Sequence, residues 1–278
     1  MRDRKDGKVL KVTDDPFHSI VPYVMSKRTE AEVSATEYFD VTKLLKEIQK
    51  YNKKNGTNIK LFHAFCMAVG KTLYHRPKLN IFIAGRRYYQ RNEISLSFVA
   101  KQKFNDESLE TLMFLKIKPD DTVLNISSQI LGDVKQARTS GKNNLDETMS
   151  FVGKLPRCIL EIVFWVIRKL EYFGIMPEAL MKGDPNYSSC LISNLGSIKA
   201  PSCYHHLSEY GTMSMMVTIG TIEEQNKKSL LPVTFTFDER IADGFYFAKS
   251  CRLIKYVLEN PEELFKTIDT PVPEDLFK

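Results

Sequence analysis

The chain has 278 residues, 43% hydrophobic and 27% charged, with a formal net charge of +6. A chain of this length buries enough surface to hold a core without disulfides or a structural metal. Its basic residues are spread out, only mildly denser at Arg2, Arg4, Lys5, Lys8 and Lys11, and form no basic stripe with interleaved aromatics of the kind that marks a nucleic-acid binder.

Residues 1–19 are mostly polar and read as an arm ahead of a single domain at 20–278. Val41, Leu44, Leu45, Ile48 and Tyr51 fall at helical spacing, with Asp40 placed to cap the helix and Gly56 to end it. Leu61 to Leu73 is apolar nearly all round, which predicts a buried helix before Pro77 and makes His63 a core residue. Asn80–Ile83, Tyr88–Tyr89 and Ile94–Val99 alternate, and predict a meander of short antiparallel strands. Asp120–Asp121 opens a helix running towards Ala137, and Thr139–Asn144 is a polar loop. The next helix, about Leu155 to Phe173, contains the apolar stretch Cys158–Ile167, which is about half the length of a membrane span and carries Glu161; it predicts a buried or interface helix. Strands are expected at Leu191–Ser193, Met213–Ile219 and Leu231–Phe237, and helices from Asp243 to Leu258 and after Pro261. Helices and antiparallel strands without regular alternation argue for an α+β fold.

The five cysteines (Cys66, Cys158, Cys190, Cys203, Cys251) show no Cys-x-x-Cys spacing, so neither a metal site nor a redox pair is expected. The polar N-terminus carries no signal-peptide pattern, and free thiols suit a reducing cytoplasm.

Four segments in order carry a resemblance. Tyr38–Leu45 contains an Asp-Val-Thr turn into a helix. Ile192-Ser193-Asn194-Leu195-Gly196 is followed by Val217–Glu223, and then Pro232–Phe237 leads into Asp238-Glu239-Arg240-Ile241-Ala242-Asp243-Gly244. Over roughly residues 20–270 the chain resembles the superfamily of chloramphenicol acetyltransferase and the catalytic domains of 2-oxo acid dehydrogenase acyltransferases. That resemblance implies a two-layer α+β sandwich of the CoA-dependent acyltransferase type. It also implies a homotrimer with active sites shared between subunits, and CoA or acyl-CoA as substrate. It implies no metal, and the chain shows no lipoyl turn, so a stand-alone catalytic domain without lipoyl or subunit-binding domains is expected. The segment from about Glu147 to Tyr187 is longer and more aromatic than the family pattern, and reads as an extra helix over the channel or a neighbouring subunit.

By the same resemblance, Ser193 matches the serine that donates to the oxyanion, Asp243 the structural aspartate, and Gly244 the turn glycine. Asn194 and Gly196 shape the strand end. Glu239 stands where the family has its catalytic histidine. Removing a proton from a thiol near 8.5 costs a glutamate near 4.3 about 6 kcal/mol and a histidine near 6.5 about 3 kcal/mol. Burial closes such a gap by raising a carboxylate, while an adjacent Arg240 opposes it. His205 and His206, about ten residues beyond Gly196, are an alternative base, against the plainer reading of loop histidines. A buried Asp243 would need a cationic partner; Lys27 and Arg28 fall closer to Asp40 than the family spacing, and the partner stays unassigned. Two functional readings stand: an acyltransferase with an altered base, or an inactive trimer that binds CoA, another ligand or a protein partner.

Overall fold

The computed structural model describes residues 2–11, 16–101, 110–140 and 153–278. In chain order these form strand β1 (Gly7–Val9), helix α1 (Pro16–Val24), strand β2 (Glu32–Asp40), and helices α2 (Thr42–Asn55) and α3 (Leu61–His75). Strands β3 (Ile81–Ala84), β4 (Arg87–Arg91), β5 (Ile94–Lys101) and β6 (Glu110–Ile117) follow, then helices α4 (Val123–Ser140) and α5 (Arg157–Phe173) and the single turn α6 (Glu178–Met181). Strands β7 (Cys190–Asn194), β8 (Met215–Ile219), β9 (Glu223–Gln225) and β10 (Lys228–Asp238) precede helix α7 (Gly244–Glu259).

The main sheet has the order β2-β10-β8-β7-β5-β6, with β9 paired to the start of β10. β10 is antiparallel to β2 and β8, whereas β7 is parallel to β8 and β5. The period-two alternation of β10 gives it two chemical faces. Val233, Phe235 and Phe237 enter the core, where Phe237 stacks on Phe247 of α7 at 3.9 Å. Thr234 and Thr236 point to the opposite face and bond to Thr36 (2.9 Å) and Ser34 (2.8 Å) of β2. Helix α3 lies against the apolar face and is buried from His63 through Leu73, as its unbroken apolar sequence requires. The result is the expected α+β sandwich: a helical layer on one face of a mixed sheet.

Several boundaries agree with the sequence reading, and others do not. Gly56 ends α2 in the left-handed conformation (φ 63°), a role that suits a residue without Cβ. Asp40 accepts from the Thr42 backbone and hydroxyl at 3.1 and 2.6 Å, although Val41 occupies the cap position itself. The run from Asn80 to Val99 is not one meander. β4 pairs with both β1 and β3 in a separate three-stranded sheet, while β5 joins the main sheet beside β7. The first residues are therefore no free arm: β1 completes the small sheet, and Arg4 is buried against Asp6 (2.7 Å) and Glu171 (2.7 Å). The Cys158–Ile167 stretch is helical, but no residue of α5 is buried. Of the loop expected at Thr139–Asn144, Thr139 and Ser140 are instead the last residues of α4, and the rest lies outside the described residues.

His63 is a core residue, 2% exposed, and its Nδ1 accepts the Lys60 N–H at 3.3 Å. Burial, reinforced by the Lys60 charge, pulls its pKa from 6.5 down to about 4. The unfolded chain therefore binds the proton first, and stability falls as pH drops from 6.5 towards 4. Denaturant unfolding of wild type and His63→Gln across that window should show the gap between them narrowing at the acid end.

Candidate active site

Thr36, Thr234, Thr218 and Ser193 lie in register across β2, β10, β8 and β7, forming a row of hydroxyls on the face opposite α3. The segment from Lys199 to Thr212 crosses this face. Thr218 Oγ1 accepts the Cys203 N–H (3.1 Å) and donates to the Cys203 carbonyl (2.6 Å), and Thr234 donates to Ser202 (3.0 Å). Further along, the Leu207 N–H donates to the Glu32 carboxylate at 2.7 Å. His205 and His206 lie between these anchors, exposed, with their rings stacked at 4.9 Å and His205 Nδ1 2.9 Å from the His206 carbonyl. They lie in a loop, and the residue after them is tied to Glu32, which pairs with Asp238 at the Glu239 end of the sheet.

Ser193 is half-buried near the end of β7. Beyond it the chain turns through Asn194 and Gly196. An added Cβ at Gly196 would sit 2.4 Å from the Gly220 carbonyl oxygen, so this tight approach of two strand ends needs glycine. Asn194 and Gly196 line a cleft of about 350 Å³ that also takes in Gly220 and Thr221, with Lys60 and Phe62 from the start of α3. It lies at the strand ends, is partly apolar and is rimmed by one cation, Lys60.

Glu239 lies at the other end of the sheet. It follows β10 directly; its N–H donates to the Ala31 carbonyl (2.9 Å) and its side chain is exposed. Among the described residues it makes no ion pair. The register puts Glu239 five residues past Thr234, and hence about 16 Å along β10 from the Ser193 row and about 10 Å across two strand spacings. The family-matched pair is thus not brought together within one chain. Burial of the Glu239 carboxylate is not supplied by the described residues of its own subunit.

Arg240 does not face Glu239. Its guanidinium grips Asp238 through two bonds of 2.7 and 2.6 Å and reaches the Met25 carbonyl at 2.8 Å. Asp238 is fully buried and Arg240 is 4% exposed. Arg28 is buried beside them and donates to the carbonyls of Ser208 and Gly211. Burial pulls its guanidinium below the usual range, opposed chiefly by the Asp238 charge. Asp243 is exposed and needs no such cation: it caps α7, accepting the Tyr246 N–H at 2.7 Å. Gly244 opens α7, and a Cβ there would meet no atom within 4 Å. Asp238 and Arg28 were missed as a unit by the sequence reading. The hydroxyl row was also missed, although Thr234-x-Thr236 against Ser34-x-Thr36 displays it.

Against known proteins, the sequence matches no family model and no curated protein. Solved structures do match. A probable dihydrolipoamide acetyltransferase from Listeria monocytogenes is 16% identical, over 90% of this chain and 94% of that one, with a TM-score of 0.58. The Azotobacter vinelandii dihydrolipoamide acetyltransferase, studied for a serine, a histidine and an asparagine in its catalytic mechanism, is 12% identical over 91% and 94%, with a TM-score of 0.59. A chloramphenicol acetyltransferase is 12% identical over 93% and 99%, with a TM-score of 0.54. The chain therefore has the fold of the chloramphenicol acetyltransferase-like and dihydrolipoamide acetyltransferase catalytic cores.

The Asp238–Arg240 pair anchors the residue before and the residue after Glu239. Removing one partner leaves a buried charge uncompensated, at a cost of about 3–5 kcal/mol. Asp238→Leu and Arg240→Met should each lower the midpoint of urea unfolding strongly, and the Asp238→Leu/Arg240→Met double variant by less than the sum.

Proposed function

We propose that the chain is an acyltransferase of the CoA-dependent type, with an active centre completed between copies. Glu239 of one subunit would face Ser193 of the next, in a homotrimer. The observation that carries this reading is the placement of these residues at opposite ends of one sheet, each open on its own chain. A closed ring of subunits apposes such ends head to tail. In that arrangement the neighbour would also supply the burial that a carboxylate base needs.

The reaction would run in one step of addition and one of collapse. Glu239 takes the proton of the acceptor thiol, hydroxyl or amine, and the freed lone pair attacks the acyl carbon of the thioester. The Ser193 hydroxyl donates to the oxyanion that forms. The intermediate collapses, and the CoA thiolate leaves and takes up a proton. The cleft at Asn194 and Gly196, with Lys60 on its rim, suits one end of a phosphate-bearing substrate. A cytoplasmic location belongs to the same proposal.

The second reading, a trimer that binds CoA, another ligand or a protein without turning it over, is favoured by one observation. The Glu239 carboxylate is exposed and, among the described residues, makes no ion pair, where the resemblance implies an imidazole.

Acyl-CoA consumption against a panel of thiol, hydroxyl and amine acceptors separates the two. Turnover should fall by at least about 100-fold in Glu239→Gln, as loss of a general base does. It should fall by about 100- to 1,000-fold in Ser193→Ala, as loss of an oxyanion donor does. Calorimetric binding of CoA without turnover in any arm selects the second reading. Equal turnover in wild type and Glu239→Gln removes Glu239 from the mechanism. Light scattering should give about three times the chain mass, and a monomer at micromolar concentration overturns the shared site.

A further inference from the structure

Helix α5 is apolar over most of its circumference. Its inner face, Leu160, Val163, Ile167 and Leu170, is only partly buried; Ile167 and Leu170 rest on a small cluster of Met176, Met181 and Tyr187. Its outer face is equally apolar and lies open: Ile162 is 62% exposed, Trp165 59% and Phe173 60%. A helix with apolar residues on both sides is stable in water only when the second side is covered.

The open face continues onto α1. The β3–β4 turn at Gly85 and Arg86 sits between the two helices. Gly85 is so close to the Tyr172 carbonyl of α5 that an added Cβ would lie 1.8 Å from its oxygen. Arg86 donates to the Pro22 carbonyl of α1 (3.1 Å) and lies over the Tyr23 ring. Ile20, Tyr23 and Val24 of α1 are 52–71% exposed. Together α1 and α5 present one extended apolar surface with aromatic residues at its borders.

Its charge is one-sided. Glu171 is spent inward on Arg4 (2.7 Å) and the Tyr187 hydroxyl (2.9 Å), and Glu161 on Arg157 (3.1 Å). Arg87, Arg168 and Lys169 are exposed and, among the described residues, make no ion pair; Lys169 lies over the Trp165 ring. A second copy pairing this patch with its own about a two-fold axis would bring like charges together, which disfavours that arrangement. No helix of the described residues is long and apolar enough to cross a membrane. An apolar helical face with Trp and Phe, bordered by Lys and Arg, is what an anionic bilayer surface accepts.

We propose that α5 and α1 form a membrane-docking surface, which lays the protein flat on a bilayer containing anionic phospholipid, with Trp165 and Phe173 in the acyl-chain boundary. The proposal stands apart from the chemistry at Glu239 and Ser193.

Trp165 is the chain's only tryptophan, so its fluorescence reports on this surface alone. The full chain is mixed with vesicles of phosphatidylcholine, with and without phosphatidylglycerol. Expected are co-sedimentation with the anionic vesicles, a blue shift of Trp165 emission, and quenching by brominated acyl chains. Ile162→Ser with Phe173→Ser should weaken partitioning at least tenfold, from lost apolar burial. Arg168→Gln and Lys169→Gln should each weaken it about fivefold. All four side chains are exposed, and circular dichroism verifies that the variants fold. Absence of binding to anionic vesicles overturns the proposal. So does binding that leaves Trp165 unquenched by brominated lipid. So does Trp165 already shielded from acrylamide before vesicles are added, with a solution mass that falls in Ile162→Ser/Phe173→Ser, because a second copy would then be the occupant.

Discussion

The antiparallel setting of β7 against β10 is the constraint on which the rest turns. Because the two strands run in opposite directions, the end of β7 lies level with the middle of β10, at Val233 and Thr234, and the end of β10 lies further on in the opposite direction. Ser193 and Glu239 each sit at the end of their own strand. The topology itself therefore separates them by five residues along β10 and two strand spacings across the sheet. No side-chain rotation closes a gap of about 16 Å along a strand, since a glutamate reaches only a few ångströms from its backbone. Any chemistry that uses both residues must draw them from different chains.

The Glu239 end is held by buried charge. Asp238 and Arg240 pair in the interior, Arg240 holds the Met25 carbonyl, and Arg28 holds the carbonyls of Ser208 and Gly211. Arg91 repeats the device nearby, donating to the carbonyls of Tyr187 (2.8 Å) and Thr212 (2.6 Å). Each guanidinium answers backbone carbonyls that irregular chain leaves without a ladder partner. The segment following α1, the strand end before Glu239 and the loop bearing His205 and His206 thereby become one tied unit. Tyr210 in that loop touches Phe164 of α5 at 6.1 Å, so the open apolar surface is joined to the same end of the molecule.

The elements that positioned the site were legible wherever the pattern was local. β7, β10, α3 and α7 declare themselves through period-two or near-continuous apolar runs, and Asp243 before Gly244-Phe245 reads as the helix start that it is. The small sheet was not legible. Its partner strand β1 is three residues long and separated from β4 by almost eighty positions, too short to leave a periodic signal. Only Asn92 and Glu93 lie between β4 and β5, which in sequence reads as a hairpin; tertiary pairing sends the two strands to different sheets. The orientation of Arg240 was equally hidden. Adjacency in sequence placed it beside Glu239, but Glu239 and Arg240 form a turn closed by the Ile241 N–H on the Asp238 carbonyl (3.2 Å), which folds Arg240 back onto Asp238, two residues before it.

Helix α5 shows the deeper limit. Composition says that a helix with apolar residues on both sides wants to be covered, and a core helix and a docking helix share that composition. In α3 the covering is the sheet and α7, both supplied by the same chain, so prediction and structure coincide. In α5 the chain supplies a partial floor beneath one face and nothing above the other among the described residues. The hydrophobic effect sets the demand for burial but does not name the surface that meets it. That distinction enters only through the charges around the rim, where the two acids of α5 are already spent and the open cations remain.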